Sequence, residues 1–185
     1  MNPALYWIIG IPLAISVWII LIYNKLIRLR NFTRESWAQI DTELKRRYDL
    51  IPNLLNTVKA FAHHEQKVFQ EVTEARARAV ASNGSPASQA KDEIQLVRAL
   101  NHLMVTVENY PELKANEHFL ELQKELVNTE DRIQAARRFF NGNVRDFNTT
   151  QEVFPSNMIA NFFSFRPAEY FDVEPTARVT PKISF

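Results

Sequence analysis

A chain of 185 residues with 22 basic and 21 acidic side chains, net charge +1, has no electrostatic reason to bind nucleic acid. The absence of cysteine excludes disulfides, thiolate metal sites and an anchor built on an acylated cysteine. Only Gly10, Gly84 and Gly142 interrupt long periodic segments rich in leucine, alanine, glutamate, lysine and arginine. An all-α chain with few turns is therefore expected, with room beside its N-terminal apolar run for one soluble domain of roughly 130 residues.

Residues 4 to 23, ALYWIIGIPLAISVWIILIY, carry no charge, and at about 1.5 Å per residue they match a hydrocarbon core about 30 Å thick. This predicts a transmembrane helix with Tyr6, Trp7 and Tyr23 near its interfaces. A cleaved signal peptide would want a basic start and a small-residue cleavage site after a shorter apolar core, and neither is present. No basic residue precedes the run, whereas Lys25, Arg28, Arg30 and Arg34 follow it. Positive charge marks the cytoplasmic side, so the expectation is a single-pass protein of the inner membrane with its N-terminus outside and its domain in the cytoplasm. The same four residues are the candidate membrane-interface cations, either as topology determinants alone or as ligands of anionic headgroups.

From Trp37 the apolar positions step by three and four through Ile40, Leu44, Tyr48, Ile51, Leu55, Val58 and Ala62, with Phe69 and Val72 beyond. Pro52 interrupts the pattern chemically, because a proline removes one backbone donor and crowds the turn before it. Either Asp49 caps a new helix, or one helix runs on to about Ala81 with a kink near Pro52. The preserved phase favours the second reading. The Asn83-Gly84 pair is expected to supply a positive φ, with Pro86 closing the turn. A second long helix is predicted from about Gln89 to Asn109 with Ile94, Val97, Leu100, Met104 and Val107 on its apolar face. A short turn over Glu112 to Ala115 follows. Asn116 then suits the N-cap of a third long helix, in which Phe119, Leu122, Leu126, Thr129, Ile133, Ala136, Phe140, Val144 and Phe147 repeat at about 3.5 residues. Ser156 is expected to cap a short helix over Asn157 to Phe163. Phe162, Phe163, Phe165, Tyr170 and Phe171 are expected to lie back across the bundle, with the membrane surface as the competing location. The predicted architecture is thus a transmembrane anchor (1–23), a long antiparallel helical bundle (24–165) and an extended tail (166–185).

Chemistry is hard to find in the pattern. His63-His64-Glu65 invites a zinc reading, but Val68 stands where His-Glu-x-x-His needs its second histidine, and adjacent histidines on a helix diverge by about 100°. His102 and His118 are isolated. Lys45, Arg46 and Arg47 beside Asp49 read as a solvated face with some i,i+4 pairs or, less commonly, as a phosphate or acidic-partner site. Glu130, Arg137 and Asn141 are spaced to project inward and to meet Asp41, Arg47 or Asn56 of the first helix in a polar network that fixes helix register. No catalytic residue, metal site, cofactor or small-molecule substrate is expected.

The order of short motifs carries a resemblance. YNKLIRLRN (Tyr23 to Asn31), ESWAQID (Glu35 to Asp41), LKRRYDLIPNLLNTVKAFAHHE (Leu44 to Glu65), ENYPELKANEHFLELQKEL (Glu108 to Leu126), TEDRIQAARRFFN (Thr129 to Asn141) and FPSNMIANFF (Phe154 to Phe163) together resemble the LemA family over nearly the whole chain. Phe61 and Phe140 stand where that family would have tyrosine or a similar aromatic, and Asp131 where asparagine is usual. The resemblance implies a helical bundle on one N-terminal transmembrane helix and assigns no catalytic residues. Relatives have been linked to membrane organisation, including magnetosome formation, and their genes often neighbour membrane proteases of the HtpX type. The expected function is a non-enzymatic, membrane-anchored scaffold that presents a cytoplasmic surface to protein partners or to copies of itself. Its alternative is an adaptor or regulator of a membrane metalloprotease of the HtpX type, and an enzyme in its own right stands third.

Overall fold

The computed structural model describes residues 3–172, with side chains from residue 9 on, and its elements are all helices: α1 (Pro3–Lys59), α2 (Gln66–Ala81), α3 (Pro86–Val107), α4 (Pro111–Lys114), α5 (Glu117–Glu152) and α6 (Ser156–Phe162). One stretch of α1 is long and apolar enough to cross a membrane. Its side chains from Ile9 to Trp18 are all exposed, as expected of a surface whose solvent is hydrocarbon rather than protein. The expected extended tail lies, from residue 173 on, outside the described residues.

The helix passes Pro52 unbroken, as the preserved apolar phase predicts. A proline at position 52 leaves the carbonyl of Tyr48 without its usual partner four residues on. Arg76 of α2 fills that gap, its Nε donating to the Tyr48 carbonyl oxygen at 2.7 Å. The extension of this helix to Ala81 is not found. α1 ends at Lys59, and the chain turns through Ala60–Glu65 before α2 begins. The break is hidden in the sequence because Val58, Ala62, Phe69 and Val72 are buried on both sides of it, so the apolar spacing is preserved while the backbone is not. There are therefore four long helices where three are predicted.

The turn between α2 and α3 also differs from expectation. No described glycine has a positive φ. Gly84 is favoured by crowding instead, since a Cβ there would come within 3.0 Å of the Ser88 side chain. Pro86 opens α3 as one of its first residues rather than closing α2, a position where its missing N–H costs no helical bond. Asn116 does cap α5, its Oδ1 accepting from the Phe119 amide at 3.0 Å. Ser156 does not cap α6. It is the helix's first residue, buried, and its hydroxyl contacts the carbonyl oxygens of Thr150 at 2.6 Å and Val153 at 3.0 Å.

By packing the described chain forms two units. The first takes the chain up to Ala38 together with Phe139–Ala168. Its core is Leu26, Phe147, Ile159 and Ala160, with Ile19, Ile22, Tyr23, Leu29, Phe165 and Ala168 packed against it. Trp37 lies 5.2 Å from Phe140, ring centre to ring centre. Asn148 ties the chain after α6 to α5, donating to the Ala168 carbonyl at 2.9 Å and accepting from the Ala168 amide at 2.8 Å. The second unit takes Gln39–Arg138 and the described residues from Glu169. Ile40, Leu44, Ile51, Leu54 and Val58 of α1, Val72 of α2, Leu96 and Leu103 of α3, and Phe119 and Ile133 of α5 are buried in it, as is Phe171.

Of the aromatic tail residues, Phe171 is fully buried and Phe165 partly so, whereas Phe162, Phe163 and Tyr170 remain exposed. The expectation that all five lie back across the bundle therefore holds for two of them.

Candidate functional site

The apolar face of α3 is not the one its most hydrophobic residues suggest. Ala90, Glu93, Leu96, Ala99, Leu100, Leu103 and Val107 are buried, while Ile94, Val97 and Met104 flank them. Steps of three and four from Ala90 run through a glutamate, and burial at those steps carries Glu93 into the core of the second unit.

There it meets α1. Arg47, 2% exposed, donates from Nη2 to Glu93 Oε2, and the Tyr48 hydroxyl donates to the other oxygen, Oε1. The remaining terminal nitrogen of the guanidinium, Nη1, donates to Glu130 Oε2 of α5 at 2.6 Å. Gln134, one turn further along α5, steadies that carboxylate by donating to Oε1 at 2.8 Å. Each terminal nitrogen of Arg47 thus holds a carboxylate from a different helix, and the adjacent residue, Tyr48, supports one of them. A buried guanidinium is tolerated only when its charge is matched and its donors are used, and here two carboxylates match it.

Burial sets the acid–base character of the cluster. Loss of solvent pulls the Arg47 guanidinium down from its ordinary value, opposed chiefly by the Glu130 carboxylate. It pushes the Tyr48 phenol up to about 12, against the lowering influence of the Arg47 charge. The Tyr48 hydroxyl therefore stays protonated as a donor to Glu93 across the physiological range. Arg47 Nε has no hydrogen-bond partner among the described residues. The space beside the cluster, about 10 Å³ lined by Leu44, Val97, Ile133, Gln134, Arg137 and Phe171 among others, is the size of one water. A shallower, mostly apolar depression of about 230 Å³ adjoins it, formed by Val97, Leu100, Met104, Leu126 and Val127 with Asn101 and Gln123, and bordered by Arg47 and Glu130 themselves.

Of the residues proposed for an inward polar network, the structure brings Arg47 and Glu130 into contact and sets Arg137 on the edge of the same small cavity. Asp41 is elsewhere, pairing with Lys45 at 3.0 Å on an exposed surface, and Asn56 is exposed. Asn141 lies in the other unit. Glu93 and Tyr48 complete the cluster and are absent from the sequence-based set, Tyr48 because it reads as a hydrophobic residue and Glu93 because a single glutamate reads as solvated. The signal available for Glu93 is its place four residues before Val97 and three after Ala90, on a face with no other charge between Ala90 and Val107.

The four candidate interface cations all fall in the first unit. Lys25, Arg28 and Arg34 are exposed, and the Arg30 guanidinium carbon lies 5.6 Å from the centre of the Phe165 ring. His63 and His64 are exposed in the turn after α1. His102 is not isolated, since its Nδ1 lies 2.9 Å from Glu71 Oε2 across the α2–α3 hairpin. Among the described residues no group of three histidines, cysteines or carboxylates is placed to hold a metal ion.

The profile of the LemA family matches residues 36–185. Magnetosome protein MamQ 2 of Paramagnetospirillum magneticum is 24% identical over 189 aligned positions, covering 87% of this chain and 70% of that protein. Magnetosome protein MamQ of Magnetospirillum gryphiswaldense is similar to the same extent, 24% identical with 87% and 70% covered. Protein LemA of Metamycoplasma hominis is 23% identical over 156 positions, covering 84% of this chain and 71% of its own.

Proposed function

We propose, from the premise that the chain belongs to the LemA family, that it is a single-pass, non-enzymatic scaffold of the bacterial inner membrane. Its helical domain then faces the cytoplasm and offers its surface to protein partners or to further copies of the chain. The observation that carries this reading is α1 itself. One helix supplies both the bare apolar stretch from Ile9 and, without interruption, the buried residues Ile40, Leu44, Ile51 and Val58 of a folded core. Lys25, Arg28, Arg30 and Arg34 directly after the apolar stretch support a cytoplasmic domain.

The polar cluster supports a structural rather than a catalytic role. The terminal nitrogens of Arg47 and the hydroxyl of Tyr48 are already bound to carboxylates. Its chemistry is that of a register key, in which charges from three helices meet only when those helices are correctly aligned.

Single cysteines test the reading without background. An impermeant maleimide applied to intact spheroplasts should leave Lys45→Cys unlabelled until the membrane is opened, and prompt labelling would overturn the cytoplasmic assignment. Crosslinking from Lys45→Cys and Lys59→Cys in the same membranes separates the partners. Ladders of the chain with itself are expected of a self-assembling scaffold, whereas one recurring foreign band that proves to be a metalloprotease would move the function to an adaptor.

A further inference from the structure

We propose that the outer face of α6 and of the turn before it, formed by Phe154, Met158, Phe162 and Phe163, is a second membrane contact that inserts into lipid beside the end of the α1 span. The proposal rests on the reading that the apolar stretch of α1 crosses a bilayer. Phe154 is 78% exposed, Met158 61%, Phe162 80% and Phe163 46%, all within ten residues of sequence. They cannot be turned inward by a rotation of the helix, because the inner face is already taken by Ser156, Ile159 and Ala160. So much contiguous apolar surface is disfavoured in water and points to a partner.

The position of α6 identifies that partner. Ile159 and Ala160 share a cluster with Leu26 and Phe147, against which Ile19, Ile22 and Tyr23 pack. Tyr23 lies 4.7 Å from the Phe163 ring and 5.9 Å from the Phe165 ring, measured between centres. Ile19 and Ile22 belong to the last turns of the apolar stretch, so α6 lies alongside the level at which hydrocarbon gives way to headgroups. Lys25 and Arg28, both exposed, follow Tyr23 by about 3 and about 8 Å along the helix, the depth of a headgroup layer. Arg166, also exposed, brings a further cation after α6. Aromatic and aliphatic side chains at the hydrocarbon boundary with cations just beyond them form the pattern of an interfacial segment. Continuity with the bare span, together with these cations, favours a lipid surface over a second protein as the occupant.

Spin labels on single cysteines in the full chain, reconstituted in vesicles of phosphatidylethanolamine and phosphatidylglycerol, measure this directly. Met158→Cys and Phe162→Cys are exposed positions whose replacement leaves the core intact. Their labels should be severalfold more accessible to oxygen, which concentrates in lipid, than to an aqueous nickel chelate, as at Ile15→Cys in the span. Asp131→Cys, exposed in the other unit, should show the reverse. Lipid-like accessibility at Ile15→Cys with water-like accessibility at positions 158 and 162 would overturn the proposal and leave the anchor reading standing. Water-like accessibility at Ile15→Cys would overturn both. Exclusion of both probes from positions 158 and 162, with dipolar broadening between labels, would assign the face to a second copy of the chain and overturn the lipid contact.

Discussion

In the unit that carries the apolar span, the hydroxyls of the buried residues Thr33, Ser36 and Thr150 are satisfied within their own helices. They bond to carbonyl oxygens one turn back, at 3.0 Å on Leu29, 2.8 Å on Phe32 and 2.8 Å on Asp146. In the other unit Thr129 does the same, but the buried polar groups Arg47, Tyr48 and Glu93 reach between helices. A hydroxyl folded back on its own turn adds nothing to the choice of partner, so the first unit selects its packing by shape, through Leu26, Phe147 and Ile159. A guanidinium between two carboxylates selects by charge, because a helix displaced by a few ångströms leaves an ion unmatched.

The largest effect should come from removing the charge key. Arg47→Met leaves Glu93 buried with only Tyr48 beside it and should cost about 3–5 kcal/mol, read from the urea midpoint of the full chain in detergent. Adding Glu93→Leu should restore most of that loss, and a double variant no better than the single would mean that the charges act independently. Next comes the proline contact. Arg76→Ala should cost about 1–2 kcal/mol while Pro52 is present, since it strands the Tyr48 carbonyl. In a Pro52→Ala background, where the new residue supplies the missing backbone donor, the same change should cost far less, a coupling that a double-mutant cycle measures.

A pH series tests the electrostatic side of the contrast. The Tyr48 phenol is pushed up by burial from 10.0 to about 12, so the folded chain holds that proton more tightly than the unfolded chain. Its stabilising contribution is complete below about pH 10 and is lost as pH rises through about 12. Tyr48→Phe should flatten the fall in unfolding midpoint above pH 10. Tyr110, held up by its 2.9 Å hydrogen bond to Glu65, should leave a residual slope. The smallest effect belongs to the first unit. Ser36→Ala removes a hydroxyl bonded only within its own helix and should shift the midpoint by less than about 1 kcal/mol. A loss as large as that of Arg47→Met would erase the distinction between the two regions.

What can be read from the sequence follows the same division. Periodicity locates the buried faces of α1 and α5, and the charge-free run marks the span, because these depend on many residues acting together. The break after Lys59 escapes because the apolar spacing from Val58 to Phe69 is that of a continuous helix, and the two histidines between them are too weak a signal to end one. The inner face of α3 is displaced by about one residue from the predicted one, because Ile94, Val97 and Met104 are more hydrophobic than the Ala90, Glu93 and Ala99 that lie inside. The pairing of Arg47 with Glu130 is legible as a spacing between two helices. Its completion by Glu93 is not, since a residue that is hydrophilic in isolation becomes a core residue only through a partner 46 positions away.

Arg47 and Tyr48 are neighbours, yet between them they engage α2 through the Tyr48 carbonyl, α3 through Glu93 and α5 through Glu130. The bonds to Arg76 and Glu93 need only the α2–α3 hairpin and the bond to Glu130 only α5, so the full set closes only when both have packed on α1. A packing that lacks either one leaves the buried guanidinium incompletely matched, which is costly. Two consecutive residues therefore tie the packing of three further helices to a single position on α1.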